Sequence, residues 1–402
     1  MKSEWTELPL GKIIDLVIDY RGKTPKKLGG DWSNTGYRAL SARNIKTGRI
    51  VQTDTIRYVD ESLYQKWMKD EVRRGDILIT SEAPFGQIFY WDSDEKIVLS
   101  QRLFCIRVNP KYDARFIYYY MTTSAFQGEL AGRSTGTTVI GLRQPELMKC
   151  IIHIPSGENQ HRIASILASI DAKISSNQKI NDNLYAQAKA TTKQWISKST
   201  GDYELLPLSD IASINPDTYS PKETWKYVNY LDTSSITEGC ISEIQHITPS
   251  SEKLPSRARR KIAPNDIVFS TVRPNQRHYG IISEPLPNML GSTGFAVIRS
   301  KNPLVCNELI YLCLTENEFI EKMQQLAEQS TSTFPSIKPS DLGVCKIPCP
   351  KDQSSTSFTE TLKSLFALIA ANQRENISLS EIRDALLPKL MSGEIDVSDI
   401  QL

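Results

Sequence analysis

Residues 163–195 read IASILASIDAKISSNQKINDNLYAQAKATTKQW, and residues 358–390 read FTETLKSLFALIAANQRENISLSEIRDALLPKL. In the first stretch one stripe recurs at spacings of four and three: Ile163, Leu167, Ile170, Ile174, Asn177, Asn181, Leu184, Ala188, Thr191 and Trp195. The second repeats it, 195 residues on, at Phe358, Leu362, Leu365, Ile369, Asn372, Asn376, Leu379, Arg383, Leu386 and Leu390. A seam sustained over more than four heptads predicts two long helices that pack as a coiled coil. With a globular segment between them, antiparallel pairing closes most simply. About 33 residues rising about 1.5 Å each make a rod near ~50 Å long. Two Asn at matching seam slots predict amide partners across the interface, which fix register at some loss of stability. The alternative is that they face solvent while Ile180 and Ile377 take their places. Pro388 is expected to kink or end the second helix.

Outside the helices the chain repeats itself in order. Leu8-Pro9-Leu10 returns as Leu206-Pro207-Leu208, Gly75-Asp76-Ile77-Leu78 as Asn265-Asp266-Ile267-Val268, and Asn109-Pro110 as Asn302-Pro303. Offsets drift by a few residues between blocks, as loop insertions produce while the elements persist. Each copy holds short β-branched runs, such as Asp76–Thr80 and Ile267–Ser270, punctuated by Gly, Pro and Asn, then a helical stretch such as Ala114–Ser124. The fold class is therefore α+β, or mixed α/β: two similar globular domains separated by two long helices in an antiparallel coiled coil, with a pseudo-two-fold internal repeat. The boundaries are 1–155 for the first domain, 156–200 for the first helix, 201–350 for the second domain, 351–393 for the second helix and 394–402 for a tail.

Composition excludes several classes. Hydrophobic residues are 40% and charged residues 23%, as in soluble globular chains, and no apolar run is long enough to span a bilayer. Met1-Lys2-Ser3-Glu4-Trp5 lacks an export pattern, so a cytoplasmic location without membrane contact is expected. Seven scattered cysteines predict free thiols, with Cys345 and Cys349 buried. Net charge is only +2, but residues 1–155 carry 23 Lys+Arg against 18 Asp+Glu, and residues 204–350 carry 14 against 16. A phosphate loop at Gly22-Lys23-Thr24 fails because Val17 stands where its first Gly is needed. Asn215-Pro216-Asp217-Thr218-Tyr219 lacks the second Pro of a base-holding motif, and the four histidines have no partners at ligand spacing. No catalytic residue and no metal site emerges.

Base edges are read by Arg, Lys, Asn, Gln, Ser and Thr presented on loops. In the first domain the candidates are Arg38, Ser41, Arg43, Asn44, Gln87, Ser100, Gln101, Arg102, Arg133, Thr135 and Thr137, while Arg21, Lys23 and Thr24 belong to a basic loop, Tyr20–Lys27, that suits phosphate contact or is a solvated charge cluster. In the second they are Arg273, Asn275, Gln276, Arg277, His278, Ser292, Thr293, Ser330 and Ser332.

The layout resembles the specificity (S) subunits of type I restriction-modification systems over essentially the whole chain. Ile154-Pro155-Ser156-Gly157-Glu158-Asn159-Gln160, leading into Ile163 and Asp171-Ala172-Lys173-Ile174, looks like the family's first conserved region, with Asn159 where Glu is usual. Leu386-Leu387-Pro388-Lys389-Leu390-Met391-Ser392-Gly393-Glu394-Ile395 looks like the end of its second, and the Pro350–Ser357 start of that helix is degenerate. The resemblance implies a non-catalytic chain whose two target recognition domains read a bipartite, asymmetric double-stranded DNA target with a spacer set by the helices. It implies two modification (M) subunits that methylate adenine with S-adenosylmethionine, and restriction (R) subunits that use ATP and Mg. This chain itself then needs no cofactor. On residues alone, a stand-alone DNA methyltransferase or nuclease and a coiled-coil scaffold that binds no DNA stay open.

Overall fold

The structure, a computed structural model, describes residues 5–135, 140–198, 201–220, 222–330 and 334–400. Both heptad stretches are helical: Gly157–Lys198, of 42 residues, and Thr356–Met391, of 36. The chain divides into two compact units, Met1–Ser175 with Asn376–Leu402, and Ser176–Glu375, so each long helix lends a part to each unit.

In the first unit a four-stranded antiparallel sheet runs in the order Ile14–Asp19, Leu103–Val108, Ile77–Thr80, Ile88–Tyr90. Alternate side chains of a strand leave opposite faces. Ile77, Ile79, Phe104 and Ile106 accordingly join a core with Phe116, Ile117, Ile163 and Leu167, whereas Leu78 and Cys105 join another with Leu40, Val59 and Trp67. Being covered on both faces, the middle strands are apolar nearly throughout rather than alternating. The second core is roofed by a three-stranded sheet, Arg57–Val59, Tyr37–Leu40, Ile97–Leu99, whose last two strands are parallel. Thr6–Pro9 pairs with Ile151–Ile154, just before the first long helix.

The second unit repeats this plan. Its central sheet is Ala212–Ile214, Phe295–Ser300, Asp266–Ser270, Tyr279–Ile282, and Tyr203–Pro207 pairs with Lys346–Pro350. Val228–Leu231 and Met289–Ser292 form the parallel pair. One element differs. Here Ala258–Lys261 adds an edge strand, while the corresponding stretch of the first unit holds the helix Glu61–Trp67, capped by Asp60 accepting from the Leu63 amide at 2.8 Å.

The duplicated Asp76 and Asp266 are both buried, and each is held by an arginine one strand away. Arg107 donates from Nε and Nη2 to Asp76 at 2.8 Å each, and Arg299 to Asp266 at 2.7 and 2.8 Å. Bidentate pairing of this kind keeps a buried carboxylate tolerable, and it holds both guanidinium groups in the charged form, with pKa values raised chiefly by the carboxylate bonds.

The seam is visible in the burial. In the second unit Trp195 stacks on Phe358 with centroids 4.5 Å apart, Asn372 donates to Asn181 at 2.8 Å, and Asn177 donates to Glu375 at 2.7 Å. Partners ascending one helix descend the other, so the pairing is antiparallel. Asn177 is 1% exposed, but Ile180 is 44% and Ile377 61% exposed, so the Asn face inward and the two Ile do not replace them. In the first unit Asp171 joins three elements, accepting from Arg383 Nη1 at 2.9 Å and the Tyr119 hydroxyl at 2.6 Å. Burial, and then Asp171 itself, hold the Tyr119 hydroxyl protonated.

Two details depart from expectation. Pro388 lies inside the second helix, which continues to Met391. The backbone turns at Gly393, where φ is +72° and an added Cβ would fall 2.7 Å from the Trp5 ring nitrogen, so only glycine fits. A Pro in the last turn removes a single helical bond, and its i−4 partner Asp384 is exposed to water. Secondly, Cys349 is buried but Cys345 only partly so, and both are free thiols.

Candidate nucleic-acid interface

In each unit the loops at one end of the central sheet are bonded to one another. In the first, Ser81 N donates to Arg102 O at 2.8 Å, Leu142 N to Ser81 O at 2.9 Å, Ala42 N to Gln101 O at 3.0 Å and Arg21 Nη1 to Leu142 O at 3.3 Å. These bonds bring Arg21, Ser41–Asn44, Ser100–Arg102 and Thr135 to one surface, although they are far apart in sequence. In the second, Thr271 N donates to Gly294 O at 2.8 Å, Ile337 N to Thr271 O at 2.9 Å, Arg273 N to Pro335 O at 2.9 Å and Thr293 N to Arg257 O at 2.8 Å. The segments 273–278 and 292–293 meet there.

Many candidate side chains are already engaged. Arg21 grips Asp19 through Nε and Nη2 and lies 5.0 Å over the Phe104 ring. Lys23 donates to the Trp67 carbonyl at 2.7 Å above the Tyr20 ring, and burial, with Lys69 nearby, lowers its pKa. Thr24 accepts from the Lys27 amide, Arg38 binds Glu95, Arg102 binds Glu82 at 2.9 Å and Arg133 binds Glu129 at 3.0 Å. Asn44 is 1% exposed, taking Ser41 Oγ at 2.8 Å and donating to Gln52 O at 3.1 Å. Ser100 is buried, and Gln87 accepts from the Thr47 amide at 3.0 Å. In the second unit Arg277 holds Glu238 and Asn317, His278 Nδ1 lies 2.6 Å from Ile236 O, and Ser292 is fully buried. Ser330 follows the helix Asn317–Glu328, its amide donating to Ala327 O. Thr137 and Ser332 lie outside the described residues.

Facing outward are Arg43, Gln101, Thr135, Arg273, Asn275, Gln276 and Thr293. The structure adds residues that the sequence reading passed over. The hairpin of Ile45–Lys46 with Arg49–Ile50 exposes Lys46 and Arg49 beside Arg43, and among the described residues none of the three forms an ion pair. In the second unit the same hairpin, Ile236–Thr237 with Cys240–Ile241, has Ser234, Thr237 and Cys240 at those positions. The edge strand there begins with a basic run, Arg257-Ala258-Arg259-Arg260-Lys261, visible in the sequence as a charge run. A register shift between Ala258 and Arg260 re-aims its side chains. Arg260 Nε is buried without a partner among the described residues, and burial lowers its pKa.

Among the described residues no group of His, Cys, Asp or Glu is arranged to hold a metal, and no helix is long and apolar enough to cross a membrane. The surface is one of donors and cations on loops, suited to contacts with base edges and phosphates.

Comparison with known proteins gives one consistent picture. Residues 2–186 match the family described as type I restriction modification DNA specificity domain. The type I restriction enzyme MjaIX specificity subunit of Methanocaldococcus jannaschii is 24% identical over 81% of this chain and 79% of its own. The putative type I restriction enzyme MjaX specificity subunit of the same organism is 22% identical over 98% of this chain and 94% of its own. The crystal structure of a type I restriction-modification S subunit from M. genitalium superposes with a TM-score of 0.57 at 17% identity, covering 96% of both chains, and so shares the fold.

Proposed function

We infer, from the premise that this chain belongs to the specificity-subunit family of type I restriction-modification systems, that it selects the DNA sequence on which partner subunits act. The observation that carries the inference is the duplicated loop surface: two units of one plan, each gathering outward Arg, Gln and Thr side chains at the same sheet end, joined in the second by Asn275, with different residues in each. Two such surfaces read two half-sites of a bipartite, asymmetric double-stranded target. The paired long helices, locked in register by the Asn181 and Asn372 amides, act as the spacer between them.

Two M subunits and the R subunits complete the assembly and bring adenine methylation, translocation and cleavage with them. S-adenosylmethionine, ATP and Mg enter through those partners. The segment Gly22-Lys23-Thr24 is a poor phosphate loop for ATP, since its Lys23 ammonium is spent on the Trp67 carbonyl.

The test is the host methylome with and without this gene, followed by replacement of residues 1–155 with a relative's domain. One half of the methylated motif should change and the other persist. A change in both halves, or an unchanged motif, would contradict independent reading. Methyl transfer or DNA cleavage by the purified chain alone, supplied with S-adenosylmethionine or Mg, would replace this function with an enzymatic one.

A further inference from the structure

The strand-to-strand loops after Ile77–Thr80 and Asp266–Ser270 share a backbone signature. Ala83 and Arg273 both precede a proline and both adopt left-handed angles, φ +45° and +47°, and the loops return through Gly86 at +69° and Arg277 at +58°. The two loops are alike at these positions without being identical: Ala83–Pro84 is cis, and the second loop is one residue longer between its left-handed positions, with a 3-10 turn at Pro274–Gln276. At the equivalent position one presents a methyl group and the other a guanidinium.

Arg273 is exposed, and its guanidinium lies 5.1 Å from the centroid of Phe334, itself 55% exposed. The Arg273 amide bonds to Pro335 O at 2.9 Å, so the arginine and the segment carrying the ring are fastened together through the backbone. Among the described residues the Arg273 guanidinium has no ion pair and no hydrogen bond, whereas Arg277, four residues on, has spent its donors on Glu238 and Asn317. A ring facing a guanidinium at this distance attracts the cation without using any N–H, so its donors stay available to a bidentate acceptor. Asn275 and Gln276, exposed beside it, border the same spot.

We propose that Arg273, placed over the Phe334 ring, is the specificity-determining side chain of the second unit and reads a guanine through O6 and N7 in the major groove. This deepens, and rests on, the DNA-recognition role proposed above. Phe334 is a positioning residue, acting through the arginine.

The experiment uses the full chain assembled with its partner subunits. Duplexes carrying the motif found in the methylome are varied one base pair at a time, and binding is measured by competition. Arg273→Ala should cut the preference for G·C at one position of one half-site by roughly 5- to 150-fold, leaving the other half-site unchanged. Phe334→Ala should lose part of that preference at the same position, and Phe334→Trp should retain it. Arg273→Gly separates reading from folding: glycine suits φ +47°, so the melting temperature should hold while the preference falls. Unchanged base preference in Arg273→Ala overturns the proposal. So does a uniform loss across all duplexes with the salt slope reduced by about one, which marks a phosphate contact. A wild-type assembly with no base preference anywhere would instead refute the DNA-recognition role itself.

Discussion

Replacing Arg43, Lys46 and Arg49 together by Gln should alter how DNA binding depends on salt more than it alters which sequence is bound. The three cations sit on one short hairpin, exposed and without ion pairs among the described residues, so their charge faces solvent rather than an internal carboxylate. Each cation that neutralises a phosphate contributes about 0.9 to the slope of log K against log salt. Three would contribute about 2.7, which over a fourfold rise from about 50 to 200 mM is roughly 40-fold in affinity. The assembled complex should therefore lose roughly 40-fold less affinity across that range when it carries the triple variant, with its base preferences intact. Fluorescence anisotropy on specific and scrambled duplexes measures both quantities. Folding should be indifferent, within about 0.5 kcal/mol, since no partner is stranded. In the second unit, Ser234→Lys with Thr237→Lys should do the converse and steepen the slope by about 1.8. A triple variant that binds with the wild-type slope would show that this hairpin stays clear of the backbone.

Asp266→Ala should cost roughly 3 kcal/mol of stability in thermal unfolding, because it removes both bonds from Arg299 to its buried carboxylate; the low end of the range for broken buried pairs applies since Arg299 keeps its bond to Asp217 at 2.9 Å and 32% of its side chain exposed. Asp266→Leu with Arg299→Met should recover most of it, and a double variant no better than the single would contradict this pairing. Asn372→Leu should cost about 1–3 kcal/mol by leaving the part-buried Asn181 Oδ1 without its donor, whereas Asn181→Leu with Asn372→Leu should melt higher than either single variant and broaden the methylated motif to more than one gap length. Adding one heptad to each long helix preserves the seam and lengthens it by about 10 Å. The methylated motif should then keep both half-sites with a gap longer by roughly three base pairs at about 3.4 Å each, and persistence of the original gap would exclude the helices as the ruler.

How far each feature was legible depends on how local its cause is. The seams could be read because heptad spacing is a property of a few neighbouring residues and occurs twice; their slots leave open whether the Asn or Ile180 and Ile377 face inward, and the burial of Asn177 against the exposed Ile decides it. The repeat of Asp76 as Asp266 was equally plain, but their partners were not. Arg107 and Arg299 reach those carboxylates across a strand register that no local pattern encodes. The reading surface was half legible for a related reason. Residue type says which side chains can bond a base, not whether their polar atoms are already spent, and Asn44 and Ser292 are spent within their own loops. Lys46 and Arg49 were missed because a two-residue strand leaves no periodicity to notice. What the two units share, namely sheet order, hairpin, left-handed loop positions and buried Asp–Arg pair, is what the core and backbone require. What they do not share includes one element, the helix Glu61–Trp67 against the edge strand Ala258–Lys261, and several outward side chains: Arg43, Lys46 and Arg49 against Ser234, Thr237 and Cys240, and Ala83 against Arg273. On the recognition role proposed above, the outward side chains are where the two copies can differ without disturbing the buried Asp–Arg pair and the central sheet that both retain.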